Sequence, residues 1–105
     1  DALAGRMITV GGESGEELGR LPLHPSYLRD LASPIADLRN GGGRRAGAGV
    51  GAAFIGAWVP EDVAWAHLDI AGMAWRDDLP LPTVPLGASA FGVRLLDRLA
   101  ETPAE

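Results

Sequence analysis

The 105-residue sequence has no cysteine and no lysine. The first absence removes disulfides, thiolate nucleophiles, zinc ribbons and iron–sulfur ligation together, so any metal would have to be held by His, Asp or Glu. The second removes Schiff-base chemistry, the Walker A motif and every lysine-dependent catalytic step. Charge-free runs reach 15 residues, as from Ala46 to Pro60, short of the roughly 18 that a membrane-spanning helix needs. All nine bases are arginine, and 14 acids outnumber them to give a formal net charge of −5. That balance argues against a phosphate-tracking surface, and so against nucleic acid as a partner. Asp1 to Arg6 show no signal-peptide pattern, and a cytoplasmic, membrane-free protein is expected.

What is present is mostly small. Seventeen alanines and 15 glycines make up about a third of the chain and leave 32 large apolar side chains for a core. The length allows one domain at most. Domains of this size bury a smaller share of their surface than large ones, so a chain this rich in small residues is expected to need partner surface.

Met7-Ile8-Thr9-Val10, before Gly11-Gly12, fits either a short strand or the end of a helix. Ser14-Gly15-Glu16-Glu17 has capping-box spacing, although Gly19 and Pro22 would stop such a helix almost at once. Leu21 to Pro25 is expected to be extended, because each proline fixes its own φ and restricts the residue before it. Ser26 can cap a short helix over 27–31, and Ile35 to Arg39 reads as a short strand before the loop Asn40-Gly41-Gly42-Gly43. The apolar run from Ala46 to Val59 predicts a buried helix stopped by Pro60. Gly49, Gly51 and Gly56 within it suggest a neighbouring backbone packed close. Residues 63–71 read as a buried parallel strand, 76–86 as a proline-rich loop, and Ala88 to Leu99 as an amphipathic helix. The predicted class is α/β: a partial layered domain, residues 1–105 forming one segment, with a mostly parallel sheet flanked by helices.

Four constellations invite a chemical reading. Gly47-Ala48-Gly49-Val50-Gly51-Ala52 fits the loose dinucleotide pattern G-x-G-x-x-A, but no strand precedes it to deliver a pyrophosphate to a helix N-terminus. A tightly packed helix is the favoured reading, with a nucleotide-binding module as the remote alternative. His67 and Asp69, two apart on a strand, would share a face; two ligands make a hydrogen-bonded structural pair more reasonable than a metal site. Asp37 and Asn40 suit side chain to backbone bonds at a turn, and Arg44-Arg45 suits a solvated basic pair.

Trp65-Ala66-His67-Leu68-Asp69-Ile70-Ala71-Gly72 resembles the W-A-H-L-D-I-A-G signature of the leucine aminopeptidase (cytosol aminopeptidase) family. In the right order, Gly15-Glu16-Glu17 with Arg20-Leu21-Pro22-Leu23 is similar to the family's G-E-x-x-W-R-L-P-L, and Ala36-Asp37-Leu38-Arg39-Asn40 to its A-D-x-x-N. Gly43-Arg44 through Ala53-Phe54-Ile55 resembles its glycine-rich turn into A-A-x-F-L. Gly87-Ala88 with Gly92-Val93-Arg94-Leu95-Leu96 resembles its closing G-A-T-G-x-x-V-R-x-L. Departures stand at Met73 (threonine in the family), Gly19 (tryptophan) and Ser89-Ala90 (Thr-Gly).

The resemblance implies the C-terminal part of a dinuclear metalloexopeptidase that releases N-terminal residues from peptides, generally as a hexamer. Family ligands and catalytic groups, two lysines among them, lie upstream of the matched region. This chain is therefore expected to contribute no catalytic residue and no metal ligand and to be inactive alone, with two divalent metals, Zn or Mn, implied for the parent enzyme. Ala71, Gly72 and Ala74 map to the pocket for the substrate's N-terminal side chain. The alternative from another class is a non-catalytic oligomerisation or structural module that kept this fold.

Overall fold

The computed structural model describes residues 2–41, 47–78 and 81–102. In chain order they form α1 (Ala2–Ser14), α2 (Ser26–Arg29), α3 (Gly47–Gly56), β1 (Trp75–Arg76), β2 (Gly87–Ala88) and α4 (Val93–Glu101). The chain divides into two compact units, Asp1–Gly19 with Leu68–Glu105, and Arg20–His67.

In the first unit the ambiguous N-terminal stretch is a helix through Ser14. Gly15, at φ 72°, ends it. The Gly15 N–H donates to the Gly12 carbonyl at 3.4 Å and the Glu16 N–H to the Gly11 carbonyl at 2.8 Å, the paired 5→2 and 6→1 bonds of a Schellman stop. The Ser14–Glu17 pattern therefore closes a helix rather than opening one. Helix α1 packs on α4 and buries Met7, Val10 and Leu95.

Helix α4 starts at Val93, five residues later than the apolar spacing from Ala88 suggested, because Ala90 (φ 56°) and Gly92 (φ 98°) are left-handed and Ala88 is paired in β2. Both ends of α4 are tied to the α1 region. Glu16 sits at its first turn, and Arg6 Nη2 donates to the Thr102 carbonyl at 2.8 Å just past its last. The two helices are thus antiparallel, with a carboxylate at one end of the α4 dipole and a guanidinium at the other, the arrangement the dipole favours.

Strands β1 and β2 form an antiparallel pair, Trp75 opposite Ala88 and Arg76 opposite Gly87. Between them the proline-rich stretch is irregular, as its composition requires, apart from an isolated bridge of Leu81 to Val84. Residues 79–80 lie outside the described residues. The mostly parallel sheet is not formed among the described residues, where this two-residue ribbon is the only sheet. Residues 63–71, read as its buried strand, contain no strand and run without ladder bonds, since a strand gains its hydrogen bonds only from a neighbour.

In the second unit, residues 21–24 form neither helix nor strand, and the extended stretch expected over Leu21 to Pro25 does not reach Pro25, which is αR at φ −58° and ψ −22° before α2. Helix α2 begins one residue earlier than the sequence indicated, and Ser26 is inside it rather than capping it. The cap-like acceptor is His24, whose Nδ1 takes the Ser26 N–H at 3.1 Å and lies 2.7 Å from the Ser26 hydroxyl. No strand forms over 35–39. Ile35 is 94% exposed, and a bend organised by the Ser33 hydroxyl accepts the Ile35 and Ala36 N–H groups. Arg39, not Asp37 or Asn40, ties this bend down, through its side chain to the Asp30 and Gly41 carbonyls and its N–H to the Leu31 carbonyl.

Helix α3 packs on α2, and Leu31, Val50 and Ala52 are buried. The close approach expected at its glycines is real at two of three, but against rings rather than backbone. A Cβ on Gly49 would lie 2.4 Å from Tyr27 Cε2, and one on Gly56 3.1 Å from Trp65 Cη2, whereas Gly51 faces open space. The pattern Gly47–Ala52 is helix from its first residue, with Gly49 occupied by Tyr27, so it is a packing stripe. Arg44-Arg45 and Ala46 lie outside the described residues.

The thin core is borne out within each unit. Ile8, Met73, Trp75, Leu81, Leu86, Val93 and Leu96 are exposed in the first. Leu21, Leu23, Leu28, Ile35, Ile55, Trp58 and Val63 are exposed in the second.

Candidate substrate-pocket wall

The segment after the eight-residue signature is a loop whose shape is fixed by backbone bonds within the first unit. Asp69 Oδ1 accepts the Ala71 N–H at 3.0 Å, an Asx turn. The Ile70 carbonyl then accepts both the Met73 and the Ala74 N–H at 2.8 Å. His67, in the other unit, lies against the Trp65 ring at 6.4 Å between centroids. Asp69 and His67 thus each have a local partner, a turn for one and a ring contact for the other, in place of the hydrogen-bonded structural pair favoured from the sequence.

Ala71 and Gly72 are exposed and Ala74 is half-buried. Gly72 has nothing within 4 Å of where a Cβ would stand, so the wall is open on that side. Met73, between them, is 52% exposed. The loop therefore presents small residues flanking one flexible thioether, a surface that can accept an apolar side chain by contact area alone.

Two residues that the sequence reading named without giving them this role hold this loop and the helix behind it. Ser89 N–H donates to the Ala74 carbonyl at 3.0 Å, its hydroxyl donates to the Met73 carbonyl, and the same hydroxyl accepts the Phe91 N–H at 3.2 Å. Glu16 is 4% exposed. Its Oε2 accepts the Gly92 N–H at 3.1 Å and the Leu95 N–H at 2.9 Å, and its Oε1 lies 3.4 Å from Arg94 Nε. Glu16 is thus the N-cap of α4, supplied from 76 residues earlier. One sequence signal was available: α4 has neither a capping side chain of its own at Gly92 nor an acidic residue in its first turn, so its orphan N–H groups needed an acceptor from elsewhere.

The second unit carries a shallow apolar depression of about 380 Å³ lined by Leu23, Leu28, Ala53, Gly56 and Trp65 among others. His24, its titratable group, is engaged with Ser26. Among the described residues no group of three or more His, Asp or Glu could hold a metal ion, and no helix is long and apolar enough to cross a membrane.

Among the described residues the helices and the short antiparallel ribbon fit part of an α/β protein. Residues 1–97 match the family model described as the cytosol aminopeptidase family, catalytic domain. A probable cytosol aminopeptidase of Roseiflexus castenholzii is 51% identical over 96 residues, covering 91% of this chain and 20% of that protein. One of Syntrophobacter fumaroxidans is 47% identical over 100 residues, covering 95% and 20%. Among solved structures, the bottromycin maturation enzyme BotP in complex with Mn is similar with a TM-score of 0.88 and 37% identity, over 94% of this chain and 22% of that one. The chain belongs to the cytosol aminopeptidase family, and it spans about a fifth of the length of the curated relatives it matches.

Proposed function

We propose that residues 1–105 are the C-terminal part of the catalytic domain of a metal-dependent leucyl aminopeptidase. In that reading Ala71, Gly72 and Ala74 form part of the wall of the pocket that takes the side chain of a peptide's N-terminal residue. The observation that carries it is the family match across residues 1–97 together with a loop at 69–74 that displays small residues on an internally bonded frame. Small residues leave room for a branched apolar side chain, which burial would hold with about 25 cal/mol per Å² of apolar surface removed from water.

The donor set of this chain does not fit a two-metal centre. It has two histidines, one bonded to Ser26 and one against Trp65, and its described carboxylates do not gather. The two divalent ions, Zn or Mn, are accordingly assigned to ligands in the four-fifths of the relatives that this chain does not span. The Mn in BotP supports a metal-dependent reaction without deciding between the two ions. The exposed apolar residues of each unit fit burial in a larger, homo-oligomeric cytoplasmic enzyme, in which residues 64–70 would gain strand neighbours in a mostly parallel sheet.

The test is a hybrid in which this chain replaces the matching part of the Roseiflexus castenholzii relative, assayed with Mn on leucine and alanine anilides. The hybrid hydrolyses the leucine substrate, the 105-residue chain alone does not, and Ala74→Leu lowers the leucine-to-alanine preference roughly tenfold by filling the pocket. A folded, metal-loaded hybrid without hydrolysis, or activity from the 105-residue chain alone, overturns the reading.

A further inference from the structure

The loop that carries Ala71, Gly72 and Ala74 has no ladder partner before Trp75, and small residues provide few side-chain contacts to fix it. Its internal bonds all radiate from Asp69 and Ile70 at the start, through the Ala71, Met73 and Ala74 N–H groups. The end of the loop is held instead by its carbonyls, and both bonds go to one residue. The Met73 carbonyl takes the Ser89 hydroxyl and the Ala74 carbonyl takes the Ser89 N–H.

Ser89 is in turn the only residue of the β2–α4 turn whose side chain faces two ways. Its hydroxyl oxygen accepts the Phe91 N–H while its hydrogen goes to Met73, which uses both capacities of a hydroxyl. The turn it belongs to is rigid for separate reasons: β2 pairs with β1, Ala90 is left-handed, and the next residues are capped by Glu16.

We propose that Ser89 is a positioning residue for the pocket wall, a clamp that transmits the fixed geometry of the capped α4 N-terminus to the loop at 71–74. The proposal rests on the reading of that loop as the pocket wall, but its test does not depend on any substrate. Removing the hydroxyl leaves the Met73 carbonyl and the Phe91 N–H without their partner, while the Ser89 N–H to Ala74 bond survives because it is backbone. The loop end is then held by one bond instead of two. A second hydroxyl residue at the same place restores both.

The experiment is residue-resolved amide hydrogen exchange on the full 105-residue chain, comparing wild type, Ser89→Ala and Ser89→Thr. In Ser89→Ala the Met73, Ala74 and Phe91 amides exchange about tenfold faster, while amides of α1 such as Val10 keep their wild-type rates. Ser89→Thr returns the three amides to within about twofold of wild type. Uniform acceleration across the unit would show that Ser89 contributes only to general stability and would overturn the proposal. Unchanged rates at Met73 and Ala74, or a Thr variant as fast as the Ala variant, would overturn it equally. Failure of the hybrid enzyme to discriminate leucine from alanine would remove the pocket while leaving these rates as predicted, so the two readings fail separately.

Discussion

Glu16 is where one side chain is asked to hold the most structure, and Glu16→Ala is the sharpest perturbation available. The carboxylate is 4% exposed and accepts two backbone N–H groups of the first turn of α4, at 3.1 and 2.9 Å. Losing an N-cap removes about 0.5–2 kcal/mol. Here the acceptor is also charged and the abandoned donors are buried, which places the loss nearer the 1.5–3 kcal/mol typical of hydrogen bonds to ionised groups. Its position at the positive end of the helix dipole adds about 0.3–1 kcal/mol. The sum predicts that Glu16→Ala destabilises by about 2–4 kcal/mol. At roughly 4–8 °C per kcal/mol for a chain of this size, the melting midpoint followed by circular dichroism falls by at least about 8 °C. Glu16→Gln keeps one acceptor oxygen and loses the charge, so it falls by about half as much and provides a folded variant for urea titration. Arg94 contributes less: its side chain is 57% exposed, and an exposed partner adds under about 1 kcal/mol. Arg94→Ala therefore stays close to wild type. If Glu16→Ala melts within about 3 °C of wild type, or Gln is as damaging as Ala, Glu16 is not the cap described here.

Four further outcomes follow from the same geometry. Gly11→Ala destabilises by about 1–3 kcal/mol in chemical denaturation, since its Cβ would lie 2.7 Å from the Glu16 carbonyl oxygen. Gly12→Ala, one residue on, meets nothing within 4 Å and stabilises by up to about 1 kcal/mol through helix propensity. Gly49→Ala destabilises by pressing on the Tyr27 ring, and a Tyr27→Ala background removes that penalty in a double-mutant cycle. Ala90→Gly raises the melting midpoint by a few degrees, because a left-handed alanine at φ 56° carries a penalty of about 1 kcal/mol that glycine does not.

Elements whose residues are held by neighbours in sequence were legible. The helix within the apolar run, although it ends at Gly56 rather than reaching Val59, and the irregular loop through the prolines at 82 and 85 follow from backbone restrictions that act within a few residues. Elements decided by distant residues were not. The start of α4 was misplaced because apolar spacing continues through Ala88, while the left-handed Ala90 and Gly92 and the carboxylate from Glu16 set where the helix begins. The Ser-x-x-Glu pattern at 14–17 was read in the wrong direction: its residues close α1, and the glutamate inside it, Glu16 rather than the pattern's Glu17, caps a helix 76 residues later. Residues 63–71 have the composition of a buried strand, and composition alone supplies no partner for its hydrogen bonds. The candidate wall at Ala71, Gly72 and Ala74 was reached through the eight-residue resemblance and not through any local pattern, because small exposed residues carry no periodicity. Ser89 and Glu16 were named without these roles, since each acts on backbone groups distant in sequence.

These misplacements share a cause that bears on function. In the first unit three polar side chains, Arg6, Glu16 and Ser89, reach backbone groups at the two ends of α4 or in the loop at 73, while the Arg98–Glu13 pair joins α4 to α1 through side chains. Apolar contacts there are limited to a small core of Met7, Val10 and Leu95, too little to fix a loop by packing. Hydrogen bonds to main-chain groups compensate, because they specify position to a few tenths of an ångström and tolerate small side chains. A loop built largely of alanine and glycine is shaped chiefly through its backbone. A loop of that composition therefore needs its rigidity supplied from outside itself, and in this chain the supply runs from the Schellman turn at Gly15 through Glu16 to the α4 N-terminus, and from there through Ser89 to Met73 and Ala74. Weakening either link should loosen the loop without altering Ala71, Gly72 or Ala74.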